Sequence, residues 1–90
     1  MKYTQEQIGE MRATIIEIAL KREELGELKS EVNEITGSTK ETYSLSFYYS
    51  REERVFKIPA LSLIDLYNAK ITNLKLEIES LEKRLQELVK

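Results

Sequence analysis

Apolar residues in the first third of the chain recur at alternating spacings of three and four positions. That spacing is typical of an amphipathic helix with a single apolar seam. A capping box formed by Thr4 and Gln7 predicts that the helix begins near Gln5. Gly37 suits a left-handed cap that closes the last carbonyl groups. The predicted seam consists of Ile8, Met11, Ile15, Ile18, Leu25, Leu28, Val32 and Ile35.

The seam of this helix is irregular at its middle. Arg22 stands at the seam position between Ile18 and Leu25, and Leu28 then follows after three residues where four are due. Gly26 lies at this jump. A shift of frame of this kind predicts local overwinding or a bend in the helix.

The middle of the chain changes from a helical period to a period of two, which is typical of strands. Two short alternating runs, 43–49 and 54–58, predict a β-hairpin. A register with Tyr49 opposite Arg54 places one set of apolar side chains on one face. A hairpin by itself is marginal in water, so this face is predicted to lie on a helix or against another hairpin. The set consists of Leu45, Phe47, Phe56 and Ile58.

A second helix is predicted from the residues that follow the hairpin. Pro59 and a capping box over residues 62–65 both suit its start. The three-four rhythm then continues without a break to the end of the chain. Its predicted seam consists of Ile64, Tyr67, Ile71, Leu74, Ile78, Leu81, Leu85 and Leu88.

Charges beside the two seams decide how the helices pair. In a parallel homodimer of the second helix, Glu77 would face Glu82 of the other copy. If the second helix instead folds back on the first, Glu31 lies near Lys70 and Lys21 lies near Glu77. Opposite charges on the flanks favour the second arrangement. The sequence therefore predicts an antiparallel pair within one chain.

The predicted fold class is mostly α with a small β-hairpin (α+β), in one domain. It is an antiparallel two-helix coiled-coil hairpin interrupted by a β-hairpin: helix 1 over 1–36, the loop and β-hairpin over 37–60, and helix 2 over 61–90. Apolar residues outside the mutual seam predict assembly into a helical-bundle homo-oligomer, a dimer or higher. The predicted oligomer interface consists of Ile15, Ile16, Ala19, Leu20, Leu63, Leu66 and Leu76.

Composition removes most enzyme classes from consideration. The 90 residues include no cysteine and no histidine, so thiol and imidazole chemistry are absent. No catalytic or metal-binding motif is present, and we predict a non-enzyme without cofactor or metal. Glu23, Glu24 and Glu27 are interpreted as a solvated helix face, although an enzyme using carboxylates or tyrosine alone stays an alternative. A net charge of -2 without a basic stripe disfavours duplex nucleic acid. No apolar run predicts a signal peptide or membrane anchor, which favours a cytoplasmic protein.

The predicted hairpin has an unusual content of aromatic and cationic residues. Tyrosine and arginine are typical of desolvated contact surfaces. We interpret these residues as a binding site for a protein or for a small anionic ligand, with pure scaffold as the alternative. Single-stranded nucleic acid is less favoured, because nearby glutamates dilute the positive charge. The candidate binding residues are Tyr43, Tyr48, Tyr49, Arg51, Arg54 and Lys57.

The order of long helix, β-hairpin and long antiparallel helix resembles the β-type prefoldin subunit. This resemblance covers the whole chain and implies a chaperone protomer whose hairpins assemble into a barrel with the helices as tentacles. The helices here are shorter and apolar along most of their length. In size the chain is also similar to helix-rich phage accessory proteins that oligomerise and block a host factor or sequester a signalling nucleotide. The preferred hypothesis is a non-catalytic homo-oligomeric binding protein of that inhibitor type, and the alternatives are a prefoldin-like chaperone subunit and a purely structural assembly element.

Overall fold

The computed structural model describes residues 3–49 and 51–90, apart from the side chains of Phe47 and Tyr49. Four elements follow one another along the chain: α1 (Gln5–Gly37), β1 (Thr42–Tyr49), β2 (Glu52–Pro59) and α2 (Ala60–Leu88). The two strands form one antiparallel ribbon. The prediction of a mostly helical α+β chain with a β-hairpin between two helices is confirmed. Neither helix has the length and apolar character that a bilayer span requires.

The two ends of α1 differ in how well the sequence predicted them. At the start, the Gln7 N–H donates to Thr4 Oγ1 at 3.1 Å and the Thr4 N–H donates to Gln7 Oε1 at 2.9 Å, so the capping box is confirmed. At the end, the predicted left-handed Gly37 cap is wrong, because no glycine has a positive φ. Ser38 caps the helix in an extended conformation (φ -87°, ψ 148°) and donates its N–H to the Ile35 carbonyl at 3.2 Å. This conformation leads the chain directly towards β1.

The seam of α1 follows a different set of residues from the predicted one. Thr14 is buried and its hydroxyl donates to the Glu10 carbonyl at 2.8 Å, while Ile15 is exposed. Lys21, not Arg22, occupies the next position, with its side chain about three-quarters covered. The frame jump therefore disappears, and α1 continues through Gly26 as one helix. The observed seam is Met11, Thr14, Ile18, Lys21, Leu25, Leu28, Val32 and Ile35.

Gly26 weakens α1 without a packing role. A Cβ atom at this position would meet nothing within 4 Å. We expect Gly26→Ala to raise the free energy of unfolding by about 0.5–1 kcal/mol, because alanine loses less backbone entropy in a helix. Urea unfolding followed by circular dichroism checks this. Ala69→Gly, at an exposed position inside α2, is the reverse control and is expected to lower stability by a similar amount; no gain from Gly26→Ala would show that α1 needs this glycine.

The start of α2 is fixed by the backbone and not by a capping side chain. Pro59 is the N-cap residue, its side chain makes no capping hydrogen bond, and the predicted box over residues 62–65 lies inside the helix. The Ala60 N–H instead donates to the Glu41 carbonyl at 2.8 Å. This bond holds the start of α2 beside the residue that precedes β1. The two ends of the ribbon therefore lie side by side where they join the helical pair.

The helices pack antiparallel along their seams. Leu28, Ile71 and Leu74 form the buried centre, with Leu25 and Val32 packed against it. This agrees with the predicted fold-back topology.

Ion pairs on the flanks also agree with the antiparallel topology. Lys21 Nζ lies 2.8 Å from Glu77 Oε2, as predicted. The expected partner of Lys70 is wrong, because Lys70 Nζ lies 3.4 Å from Glu24 Oε1 and not beside Glu31. The charges beside the seams thus predicted that α2 runs antiparallel to α1, but they did not predict the partner in every ion pair.

The ribbon has a register two residues away from the predicted one. Leu45 lies opposite Phe56, and Tyr49 lies opposite Glu52. The connection is therefore two residues long where the sequence suggested four. Because the shift is even, the predicted division of side chains between the two faces is unchanged.

The ribbon projects from the helical pair. Among the described residues its contacts with helices are with α2. Tyr43 and Ile58 are half-buried at its base, but Leu45 is 38% exposed and Phe56 is 50% exposed. The predicted covering of this face by a helix is thus wrong at Leu45 and Phe56, whereas the alternative, packing against another hairpin, stays a prediction. Most of the ribbon is available to another molecule.

Candidate protein-binding surfaces

The six predicted binding residues lie in separate parts of the ribbon. Tyr43 and Arg54 share the face that carries Leu45, whereas Tyr48 and Lys57 share the opposite face. Arg51 lies in the connection, and the prediction for the Tyr49 side chain falls outside the described residues. The aromatic and cationic groups therefore do not converge on one surface.

Two cationic side chains in or beside the ribbon contact nearby side chains of the same chain. Arg54 Nη2 lies 3.7 Å from Glu52 Oε2, and Lys40 Nζ lies 5.2 Å from the centroid of the Tyr43 ring. Both contacts are at the surface, where each contributes little to stability. Because of these contacts, the cationic groups of Arg54 and Lys40 are less available to an anionic ligand.

The face of the ribbon with Tyr48 carries the most exposed of the aromatic side chains that are described in this element. Tyr48 is 76% exposed and Val55 is 61% exposed. Val55 lies directly opposite Ser46, so it is the diagonal neighbour of Tyr48 across the strands and shares a face with it. We call Tyr48, Val55 and Ser46 the outer ribbon face. Val55 is not among the six predicted binding residues, although the alternation of side chains along the strand already places it on the face of Tyr48.

Arg51 has an unusual backbone conformation at the tip of the ribbon. Its φ is 66°, in the left-handed region that favours glycine. We expect Arg51→Gly to stabilise the closed ribbon by about 0.5–1 kcal/mol, because the steric strain of the side chain is removed. Amide hydrogen exchange of β1 and β2 measures this. Arg54→Gly, at a paired strand position, is the control and is expected to speed exchange; faster exchange in Arg51→Gly would contradict the argument.

The residues of the predicted oligomer interface also lie in separate parts of the structure. Leu63 is buried within the chain and belongs to its own core, so it is removed from the exposed set. Leu66 and Leu76 lie on α2, ten positions apart. The remaining four residues form one continuous surface on α1, which we call the α1 patch. It consists of Ile15, Ile16, Ala19 and Leu20, all exposed.

A shallow groove connects the α1 patch with the helical seam. Ile15, Ile18 and Ala19 line it from α1, and Leu85 lines it from α2. An ion pair crosses its edge, with Arg22 Nη2 at 2.6 Å from Glu82 Oε1. The groove is mainly apolar with one neutralised pair, which suits protein contact better than a free anion.

A second groove lies on the other side of the helical pair. It is lined by Glu17, Lys21, Leu76 and Glu77, among others. The hydrogen bond from Lys21 to Glu77 raises the pKa of Lys21 above its ordinary value. A raised pKa means that this pair stabilises the fold below the ordinary lysine pKa and loses its effect as the pH rises through the raised value. The groove therefore holds an internal ion pair and no unpaired cation among its described lining residues.

Within residues 3–49 and 51–90, no three acidic side chains come close enough together to hold a metal ion. Of the glutamates interpreted as a solvated face, Glu24 pairs with Lys70, while Glu23 and Glu27 are exposed.

The chain matches no protein-family model, and no curated protein or solved structure is significantly similar to it.

Proposed function

We propose that this chain is a non-catalytic, homo-oligomeric binding protein that acts by occupying a protein partner through its ribbon. The observation that carries the proposal is the exposure of the ribbon beyond its base. A two-stranded ribbon is marginal in water without a covering surface. A chain that keeps eight residues in each strand while leaving Tyr48 and Val55 exposed presents them for contact.

The geometry favours a protein partner over a small anionic ligand. Binding a small anion requires several cationic groups that converge on one point. Here Arg54 and Lys57 lie on opposite faces, and Arg54 already contacts Glu52. A protein can instead use an exposed tyrosine together with the open edge of a strand.

A chaperone-like role is the second candidate, and one observation favours it. The α1 patch lies in the first half of α1, away from the ribbon, which follows the other end of that helix. An exposed apolar surface of this kind can hold non-native protein segments. This candidate differs from the first in which surface meets the partner.

Purification from the natural cellular background tests the proposal. We expect native mass spectrometry of the tagged chain to detect more than one copy of the chain together with a bound protein. Tyr48→Ala combined with Val55→Ser is expected to lose that protein with little change in melting temperature, since neither side chain is buried.

Leu61→Ala is the matched control, because Leu61 is 77% exposed but lies on α2. It is expected to keep the partner. A bound small anion in place of a protein, or equal loss of the partner in Leu61→Ala, would refute the assignment to the ribbon. A partner that is lost only when Ile16 is changed would support the chaperone-like role.

A further inference from the structure

Within the α1 patch, Ile16 and Leu20 face away from the chain's own core. At about 100° per residue, Ile16 and Leu20 each lie about 160° around the helix from the seam residue Ile18. Ile16 is 59% exposed, and its neighbours in the patch are similarly exposed. The first half of α1 is therefore apolar on its seam and on its back. A helix that is apolar on both sides is typical of one covered on both sides.

Charges at the two ends of the α1 patch have opposite signs. Arg12 lies one turn before Ile16, and Glu23 lies one turn after Leu20, on the same outward side of α1. Neither charge belongs to an ion pair with any described residue of the chain. The neighbouring Glu10 pairs with Arg84 instead. The outward strip is thus an apolar centre with one free cation at its first end and one free anion at its last.

Such a strip is complementary to itself in one orientation only. If two copies of α1 lie antiparallel about a two-fold axis, Ile16 meets Leu20 of the second copy and Arg12 meets Glu23 of the second copy. The symmetry forms each contact twice. In a parallel arrangement Arg12 would face Arg12 and Glu23 would face Glu23, which is repulsive.

We propose that the α1 patch is the docking site for a second copy of this chain, with the two α1 helices antiparallel about a two-fold axis between Ile16 and Leu20. The inference rests on the proposed homo-oligomer and names the surface that forms it. The other exposed leucines of the predicted oligomer interface do not offer such a surface. Leu66 and Leu76 are separated on their side of α2 by polar Asn73.

The apolar centre is tested by two substitutions at equally exposed positions. Ile16 and Leu76 are both 59% exposed, on different helices. We expect Ile16→Glu to convert the dimer into a folded monomer in sedimentation equilibrium, because it buries a charge without a partner. Leu76→Glu is expected to leave the dimer intact. Circular dichroism of both variants confirms that the helices persist.

The orientation is tested by reversing the charges. We expect Arg12→Glu alone, and Glu23→Arg alone, each to raise the dimer dissociation constant by about tenfold or more at low salt, because two attractive contacts become repulsive. The double variant restores both contacts in the antiparallel dimer, so its dissociation constant should return to within about threefold of the unmodified chain. Mixing the two single variants is expected to form a heterodimer. Lys83→Glu, on α2, is the control and should change nothing.

The outcomes separate this inference from the proposed function. If the chain stays monomeric at a concentration of about 100 μM, the proposal that it forms a homo-oligomer is wrong. A dimer that survives Ile16→Glu and both charge reversals overturns the α1 patch alone. A monomer whose binding to a reduced, unfolded test protein such as lactalbumin is lost in Ile16→Glu overturns the inference and assigns the patch to non-native chains.

Discussion

Leu74→Ala is expected to lower the free energy of unfolding by about 3 kcal/mol, whereas Leu76→Ala is expected to change it by less than about 1 kcal/mol. The two residues lie on the same helix and have the same side chain. Leu74 is 5% exposed and contacts the buried centre formed with Leu28 and Ile71. The core is a single layer between two helices, so few neighbouring side chains can move into the cavity.

Urea unfolding followed by circular dichroism measures both variants. Several protein concentrations are needed, because assembly adds to the stability of the folded chain as concentration rises. Equal losses in the two variants, growing with concentration, would show that Leu76 is covered by another molecule. That result would contradict the placement of the dimer interface on α1.

Removal of the ribbon is expected to abolish partner binding while the helical pair stays folded. The Ala60 N–H and the Glu41 carbonyl are 2.8 Å apart, so residues 42–59 can be deleted and the ends joined by a short glycine linker. We expect the free energy of unfolding to fall by only about 1–3 kcal/mol, because Tyr43 and Ile58 are half-buried at the base of the ribbon. The buried centre of the helical pair lies elsewhere.

Two measurements decide this prediction. Circular dichroism is expected to retain the helical signal with a cooperative thermal transition, and the tagged variant is expected to bring down no partner. The Tyr48→Ala, Val55→Ser variant, which keeps the ribbon backbone, separates loss of its side chains from loss of its strands. An unfolded deletion variant would mean that the ribbon is part of the folding unit, and retained partner binding would place the binding site on the helices.

Much of the fold could be predicted from local patterns. The capping box at Thr4 and Gln7 marked the first helix, and the change of period near Tyr43 marked the ribbon. The pairing of Lys21 with Glu77 was predicted because flanking charges differ between parallel and antiparallel helices. These features depend on residues close in sequence or on a repeated charge pattern.

The seam of α1 could not be predicted from hydropathy. Thr14 occupies a buried seam position because the Glu10 carbonyl satisfies its hydroxyl, and Lys21 occupies a partly covered one because Glu77 accepts its hydrogen bond. A pattern based on apolar residues selects Ile15 in place of Thr14, and the seam position that Lys21 occupies then falls on Arg22. The result was a predicted frame jump at Gly26, with overwinding or a bend, which the observed seam does not contain.

For the candidate site, the sequence by itself determined which residue types the ribbon carries and which of them share a face, because side chains alternate along any strand. It also determined that the first half of α1 has more apolar surface than one neighbour can cover. Only the tertiary structure decided that the ribbon projects from the helical pair, that Leu63 is internal and that the α1 patch is exposed. Exposure depends on what packs above a residue, and that contact is made by segments far apart along the chain.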